Sequence, residues 1–454
     1  MRDINELIGK SGPFTFPNGD VIEGTLLFDK DNNKRIVLYS RINRIQYKKY
    51  EGEELQLTGK VYGTDITLIR VIIISTTTAG LLDGDEDNSI HTEFMPTVII
   101  LNKKYNDSIL VNEIDACAKK VEKFLPIRTV WDFMEEGKYN PHIRIVDEPE
   151  LYAKDKTGSI RVYSRLSLGE KDYLPYFKRS VRFGYCFNSA VELTKAYKEI
   201  YYCRNLFSFF MDDYLEIDDL VFLDSENEKC VLIDNYNGAF SSQKEFSILS
   251  LNNIECDFQT IWERWKLFLE KNEETTMLFY EILCDNSVRI NRFLNLCQIV
   301  EIISCNERDK EAIIIKEECK NTFDKEYLEK HPRVKYKLLL KHRILDAIRY
   351  SNVLIKKKNN GVDYYIASEI ADLRNYYTHY DKKRLKIERN ESINHIYYYS
   401  LFLRVVILKM IYNYLGIPVA DLILPVDYKH AIEATYKIGK RKLESELNCK
   451  EDIE

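Results

Sequence analysis

The first hundred residues follow a pattern in which short apolar or β-branched segments alternate with polar turns. Five segments show it: 24–29, 35–40, 54–63, 65–75 and 91–102. The first two flank the polar stretch DKDNNK, and Gly63-Thr64-Asp65 marks the reversal between the next two. Segments of this kind around turn residues are typical of β-hairpins. This region is therefore predicted to form an antiparallel sheet, a sandwich or a half-barrel.

Residues 111 to about 255 show a mixed pattern. VNEIDACAKKVEKFL (111–125) is predicted to be an amphipathic helix or a turn-rich segment. Ser189 to Glu192 matches the S-x-x-E capping box, which predicts a helix that runs to about residue 212. Strands are predicted at 142–148, 159–166, 216–224 and 229–236. No set of acidic residues, histidines or glycine-rich phosphate loops comes together in this part of the sequence.

After Cys256 the apolar residues recur at i, i+3, i+4 and i+7, as in amphipathic helices. Helices are predicted at 257–284, 287–304, 333–355, from about 368, and at 392–416. Pro332 is expected to open the third, and Gly416 with Pro418 to end the last. About five consecutive helices of this length indicate an antiparallel bundle.

The predicted fold class is α+β multidomain, with a β-rich antiparallel N-terminal region followed by an all-α helical bundle. The β-rich region is assigned to 1–255, with a possible subdomain break near 110–150. The bundle is assigned to 256–440, and 441–454 to a charged C-terminal tail. A length of 454 residues agrees with two or three domains.

Composition narrows the class of protein. Hydrophobic residues make up 45% and charged residues 30%, as in ordinary globular proteins, and the net charge of −6 argues against a protein that coats nucleic acid. No stretch is long and apolar enough for a membrane helix, and the N-terminus lacks a signal-peptide pattern, so a cytoplasmic protein is expected. The ten cysteines have no metal-site spacing and are expected to be free thiols.

Candidate chemistry lies in RNYYTH, where Arg374, Asn375 and His379 form an R-N-x-x-x-H motif. On a helix, Asn375 and His379 lie one turn apart and Arg374 borders them, so one polar arc carries all three. Histidine titrates near neutrality and suits general acid or base catalysis, whereas arginine offers a planar fork for phosphate oxygens. Asn375 is expected to hydrogen-bond the phosphate or orient the histidine.

This motif, with Glu301 in the apolar segment RFLNLCQIVEIIS upstream, resembles the ApeA-like HEPN domain of the HEPN ribonuclease superfamily. The β-rich half, with GTLLFD and TGKVYGTDITL, resembles the N-terminal domain that accompanies it. The resemblance implies a metal-independent endoribonuclease that needs no cofactor, works as a homodimer or dimer-based oligomer through the bundle, and serves anti-phage abortive infection. Glu301 would belong to the catalytic set, or equally pair with an arginine as a structural partner.

RNA contacts are predicted around the motif. Thr378 and Tyr377 are candidates, although packing roles suit them equally. The basic pairs Lys356 with Lys357 and Lys382 with Lys383 could attract a phosphate backbone, or be solvated loops. By contrast, His342, Asp346 and Arg349 are expected on a solvated helix face. His395 shows no partner at catalytic or metal-ligand spacing.

The predicted function is therefore cleavage of RNA by 2′-OH attack, which leaves a 2′,3′-cyclic phosphate. The expected partners are an RNA substrate (tRNA is a guess), a second copy of the chain, and a phage-derived trigger at the N-terminal domain, with no membrane. The alternative is a non-catalytic bundle that dimerises or binds RNA beside a β-rich partner-binding domain.

Overall fold

The computed structural model describes residues 3–451 except for short intervals along the chain. The intervals are 30–34, 79–88, 106–107, 119, 122–127, 136–137, 148–149, 172–173, 235–248, 250–256, 285–288, 331–337, 355–360, 380–388, 420–421 and 423. The chain divides into two compact units. A β-rich unit comprises residues 1–204 and 215–243, and a helical unit comprises 205–214 and 244–454. The boundary expected near residue 255 stays a prediction.

The β-rich unit contains fourteen of the described strands and a short helix, α1 (Arg44–Tyr50). The strands of its first half are β1 (Ser11–Thr15), β2 (Val21–Phe28), β3 (Ile36–Asn43), β4 (Leu55–Val61), β5 (Thr64–Thr78), β6 (Ser89–Leu101) and β7 (Leu110–Ala118). Those of its second half are β8 (Arg128–Glu135), β9 (Lys138–Asp147), β10 (Leu151–Lys154), β11 (Gly158–Lys171), β12 (Leu174–Glu192), β13 (Ile217–Asp224) and β14 (Lys229–Asp234).

Six of these strands close into a ring in the order β6-β3-β2-β1-β4-β5, because β5 pairs back onto β6. Alternate side chains of each strand point into the ring, as the pleat requires. Leu26, Leu38, Leu57 and Phe94 are completely buried there. The predicted β-rich N-terminal region is confirmed, and it is built around a closed ring.

The two predicted hairpins are confirmed. Leu26 pairs with Leu38 across β2 and β3, and Val61 pairs with Thr64 across β4 and β5. The second reversal lies one residue earlier than expected, at Tyr62 and Gly63, which both have positive φ. A two-residue turn of this kind matches the twist of the flanking strands and favours glycine.

The sheet continues beyond the ring in the order β14-β13-β7-β12-β11-β10. The prediction of a helix or turn-rich segment from 111 was wrong, since β7 is an inner strand paired with β12 and β13. Its buried Ile114, Ala116 and Ala118 alternate with Glu113 and Asp115. That period of two is the strand signature, and the polar side chains on one face disguised it.

The helix α2 (Leu193–Met211) begins four residues after Ser189, where the predicted capping box opens. Strand β12 instead runs through Ser189 to Glu192, where Val191 pairs with Val111. Strand pairing therefore overrides the local capping pattern. The end of the helix agrees with the prediction.

The helical unit is formed by the last turns of α2 and by eight further described helices. Their bounds are α3 (Phe258–Cys284), α4 (Arg289–Glu307), α5 (Asp309–Thr322), α6 (Lys325–Lys330), α7 (Leu340–Tyr350), α8 (Val362–His379), α9 (Arg389–Leu415) and α10 (Val426–Glu451). The predicted helical C-terminal region is confirmed. The start of the third predicted helix falls at 331–337, outside the described residues, and α7 begins at Leu340.

Helix α9 carries the central apolar contacts of this unit and ends as predicted at Gly416, whose φ is +79°. Its Arg404 Nε donates to Asp212 Oδ1 at 2.5 Å, and both residues are buried. The hydroxyl of Tyr428, on α10, also donates to Asp212. This buried carboxylate thus joins α9 and α10 to the end of α2.

Helix α10 packs closely on α8 through small residues. Ala431, Thr435 and Gly439 recur every four residues on its buried face. A Cβ at Gly439 would lie 2.6 Å from Ile366 Cγ1, so only glycine fits without a shift. The predicted tail boundary at residue 441 falls inside this helix, which reaches Glu451. None of the helices among the described residues is long and apolar enough to span a membrane.

Candidate functional site

The R-N-x-x-x-H motif occupies the last turns of α8, so the predicted helical placement is correct. One face of α8 is buried through Ile366, Ile370 and Leu373. Arg374 and Asn375 are half-buried, and His379 is exposed as the last residue of the helix. The apolar face thus fixes the helix in the bundle and leaves the motif accessible.

Arg374 is held by two neighbours. Its Nη2 lies 3.4 Å from Glu301 Oε2, on α4, and its Nη1 donates to Asn375 Oδ1 at 3.3 Å. The Glu301 and Arg374 side chains are 36% and 28% exposed, so water still reaches the pair. The structure brings these three predicted residues together, and Glu301 is less buried than its apolar surroundings suggested.

The floor beneath Arg374 is apolar. Cys297 lies one turn before Glu301 on α4 and is completely buried. Burial raises the pKa of the Cys297 thiol, although the charge of Arg374 opposes this rise. The thiol is therefore protonated at neutral pH and acts as a packing group rather than a nucleophile.

His379 stands one helical turn beyond Asn375 and faces solvent. Thr378 is also exposed, but its hydroxyl donates to the carbonyl of Arg374 at 2.8 Å. A threonine within a helix commonly satisfies its hydroxyl donor in this way, by bonding to the carbonyl four residues earlier. The last turns of α8 therefore carry an accessible imidazole and an ion-paired guanidinium, two groups that are chemically suited to bind and protonate a phosphate ester.

Tyr377 was a candidate either for contact with RNA or for packing, and in the structure its ring is buried and its hydroxyl contacts α9. It is 7% exposed, and its hydroxyl lies 2.8 Å from Ser392 Oγ on α9. At helical spacing, a tyrosine two residues before an exposed histidine points to another side of the helix. The predicted RNA contacts at Lys356, Lys357, Lys382 and Lys383 lie outside the described residues.

A buried charge cluster around Glu369 of α8 was not predicted from the sequence. Glu369 is 2% exposed, accepts from His395 Nδ1 at 2.6 Å and lies 2.8 Å from Lys442 Nζ. Burial opposes ionisation of Glu369, but His395 and Lys442 outweigh it and hold the pKa below its usual value. Local spacing gave no signal, because the three residues come from three helices.

His342, Asp346 and Arg349 were expected on a solvated face, and this was wrong for the first two. His342 Nε2 lies 3.0 Å from Asp324 Oδ2, and Asp346 accepts two bonds from Arg308 at 2.8 and 3.0 Å. Both α7 residues are buried. The partners of His342 and Asp346 lie outside α7, so the i, i+4 spacing within that helix could not predict them.

Two described clusters have the donor atoms of a metal site, and neither includes a motif residue. The first is Cys319, Asp324 and His342, and the second is Asp224, Glu226 and Glu228. The ammonium group of Lys341 binds Asp324, and that of Lys103 contacts all three acids of the second. A lysine thus supplies each cluster with the positive charge that a metal would bring.

Two protein-family models match the chain, one in its N-terminal part and one in its C-terminal part. The Apea-like HEPN family matches residues 294–419, which include Glu301 and the R-N-x-x-x-H motif. The ApeA N-terminal domain 1 family matches residues 9–265, more than half of the chain. No curated protein and no solved structure matches the chain. The two matches support, in general terms, a HEPN effector of anti-phage defence, and the chain belongs to the ApeA-type HEPN proteins.

Proposed function

We propose that the chain is a metal-independent endoribonuclease whose active site is built on Arg374, Asn375 and His379, with Glu301 in support. The observation that carries the proposal is the position of the motif on α8. The buried face of the helix fixes it in the bundle, while the motif side chains remain open to a substrate. The ion pair with Glu301 fixes the guanidinium where a phosphate could bind.

The proposed reaction is attack of a ribose 2′-oxygen on the adjacent phosphorus. A bond forms between the 2′-oxygen and phosphorus, the bond to the 5′-oxygen breaks, and the product is a 2′,3′-cyclic phosphate. One proton leaves the 2′-OH and one reaches the departing 5′-oxygen. His379 handles one of these protons, and Arg374 stabilises the extra negative charge on the phosphorane.

A second histidine is needed at the opposite side of the phosphate, since the two protons move at the two ends of an in-line displacement. Each chain supplies one His379, so we infer that two copies face each other across a two-fold axis. On α9, close along the chain to the Ser392 contact of Tyr377, Ile393 and Tyr397 are 36% and 40% exposed. We propose that this exposed apolar surface of α9, the helix that Tyr377 of α8 contacts, takes part in the dimer interface.

The decisive experiment incubates the purified chain with RNA in excess EDTA and sequences the cleavage ends. We expect 2′,3′-cyclic phosphate ends, and a fall in rate of about 10²–10⁴-fold for His379→Ala. His430→Ala is the matched control, because His430 is exposed on another helix of the same unit. Intact RNA with every variant, in the presence and absence of phage infection, would exclude the nuclease.

The dimer is tested separately by measuring the mass in solution. Ile393→Asp is expected to convert a dimer into monomers and to reduce cleavage, because it places a charge in an apolar interface. A variant that stays dimeric and active would exclude this surface as the interface.

The second candidate is a non-catalytic bundle that only dimerises or binds RNA. One observation favours it: Arg374 already has a carboxylate partner in Glu301, so part of its charge is neutralised. In that case RNA binding without cleavage is expected, and His379→Ala leaves the affinity unchanged.

A further inference from the structure

The β-rich unit contains a cavity of about 200 Å³ on one face of the sheet. Its floor lies along β7, where Glu113 and Asp115 point to the same side. Gly184 of β12 pairs with Asp115, and its missing side chain leaves room between β7 and β11. Val221 and Leu223 of β13 form an apolar wall. The cavity is therefore a groove across neighbouring strands.

Both carboxylate oxygens of Asp115 accept hydrogen bonds within the sheet. Arg182, which is 3% exposed, donates to it, and the hydroxyl of Tyr163 does so at 2.5 Å. Arg182 also donates to Asp219 at 2.7 Å. Burial and the hydrogen bond to Asp115 raise the pKa of Tyr163 to about 12, so the phenol stays a donor. This network occupies both carboxylate oxygens of Asp115 and forms a rigid support.

Glu113 differs from Asp115, since it has neither a hydrogen bond nor an ion pair with any described residue. Burial, reinforced by the charge of Asp115 and opposed by that of Arg161, raises the pKa of Glu113. The nearby Arg161 donates to Glu150 instead. A carboxylate that lines a cavity without a partner retains its capacity to accept two N–H donors from a ligand.

Positive charge lies on both sides of the groove. Arg165 of β11 and Lys229 of β14 line it and are exposed, and neither forms an ion pair with a described residue. The groove thus offers an acceptor in the middle and cations at the rim. A ligand that fits carries N–H donors on one part and an anionic group on another.

We propose that this groove binds a free guanine mononucleotide, with the base on Glu113 and the phosphate on Arg165 or Lys229. Guanine presents N1–H and N2–H side by side, a pair that one carboxylate accepts with both oxygens. The volume is below the roughly 300–1,000 Å³ of sites that enclose drug-sized ligands, so the base enters and the phosphate stays at the rim. Val221 and Leu223 pack against the base.

The test is calorimetric titration of the full-length chain with GMP, AMP, CMP and UMP. We expect GMP to bind most tightly, and guanosine at least tenfold more weakly than GMP because it lacks the charge that Arg165 and Lys229 hold. Glu113→Gln should weaken GMP binding at least tenfold. Glu54→Gln, an exposed position in the same unit, should leave it unchanged.

Gly184→Ala is the second variant, because it tests the cavity without removing a charge. Its Cβ would lie 3.4 Å from Asp115 Oδ2 and 3.5 Å from Tyr163 Cε1, both ordinary contacts, so the fold tolerates it while the floor is filled. Loss of GMP binding with unchanged thermal unfolding supports the site. Absence of GMP binding at millimolar concentration, equal binding of all four nucleotides, binding of an RNA oligonucleotide alone, or no effect of either variant overturns it. Binding is measured directly, so a chain that fails to cut RNA leaves this outcome unaffected.

Discussion

Arg374 Nη2 lies 3.4 Å from Glu301 Oε2, so the arginine of the motif is ion-paired with a glutamate from another helix. Both side chains are about one-third exposed, and pairs of this kind contribute only about 0–1 kcal/mol to folding. The value of the pair for folding is therefore small. Its consequence is geometric, because it limits where the guanidinium can point.

Glu301→Gln is expected to reduce RNA cleavage by about tenfold to a hundredfold, mainly in kcat, since Arg374 is less well aimed. The free energy of unfolding should change by less than about 1 kcal/mol. Glu311→Gln, an exposed position on α5, is the control for loss of a negative charge. A fall in both variants, or in neither, would show that Glu301 has no positioning role.

Tyr377→Phe and Ser392→Ala should each lower the free energy of unfolding by about 1 kcal/mol, because each leaves a buried hydroxyl partner without its bond. The double variant should lose less than the sum of the two, as expected for one shared interaction. Chemical denaturation measures all three. Tyr152→Phe, at an exposed ring of the β-rich unit, should match the wild type.

Asp346→Asn should lower the free energy of unfolding by about 3–5 kcal/mol, because it leaves the Arg308 guanidinium without its carboxylate. The matched change is Asp309→Asn, which removes an aspartate that pairs with Arg343. Asp346 is 3% exposed and Asp309 is 49% exposed, so the second variant should lose less than about 1 kcal/mol. Equal losses in urea titrations would contradict the difference in burial.

The acid stability of the helical unit should depend on Asp324. Burial opposes its ionisation, but bonds from His342, Lys341 and Tyr364 outweigh this and lower its pKa to about 2, from 3.8. A lowered folded pKa stabilises the native state above the unfolded value and loses that contribution as the pH falls through the folded one. The shift corresponds to roughly 2 kcal/mol.

Unfolding free energies at neutral pH and at about pH 2 measure this effect. Asp324→Asn should be less stable than wild type at neutral pH, and the difference should shrink towards pH 2 as the wild-type carboxylate takes up a proton. A difference that is independent of pH would mean that the lost hydrogen bonds, and not the charge, account for it.

Gly439→Ala should destabilise the chain, against the usual trend. Alanine in a helix interior is normally favoured over glycine by about 1 kcal/mol. Here the new Cβ would lie 2.6 Å from Ile366 Cγ1 and 3.1 Å from the Val362 carbonyl oxygen, so we expect a net loss of about 1–3 kcal/mol. Lys437→Ala, at an exposed position of the same helix, is the control. A gain in stability at residue 439 would show that the two helices separate easily.

The fold was predictable where local patterns decide it. The hairpins of β2 with β3 and of β4 with β5 follow from turn residues between alternating segments, and the motif helix follows from its apolar period. Strand β7 was missed because Glu113 and Asp115 make one face polar. The apparent capping box at Ser189 failed because pairing with β7 extends β12 through it.

The residues of the candidate site were predictable from the sequence, but the contacts between them and other helices were not. Arg374, Asn375 and His379 share one short motif, and helical geometry places them on one arc. The pairing of Arg374 with Glu301 joins helices far apart in the sequence, as do those of His342 with Asp324 and of Glu369 with His395. Nothing in the spacing of one helix specifies a partner on another.

The close approach of α10 to the motif helix also bears on how this family diverges. The HEPN family match ends at residue 419, yet Gly439 lies against Val362 and Ile366 of α8. A larger residue at 439 fits only if a side chain at 362 or 366 becomes smaller. Among relatives, these three positions should therefore covary. Such covariation would show that the conserved HEPN domain includes α10.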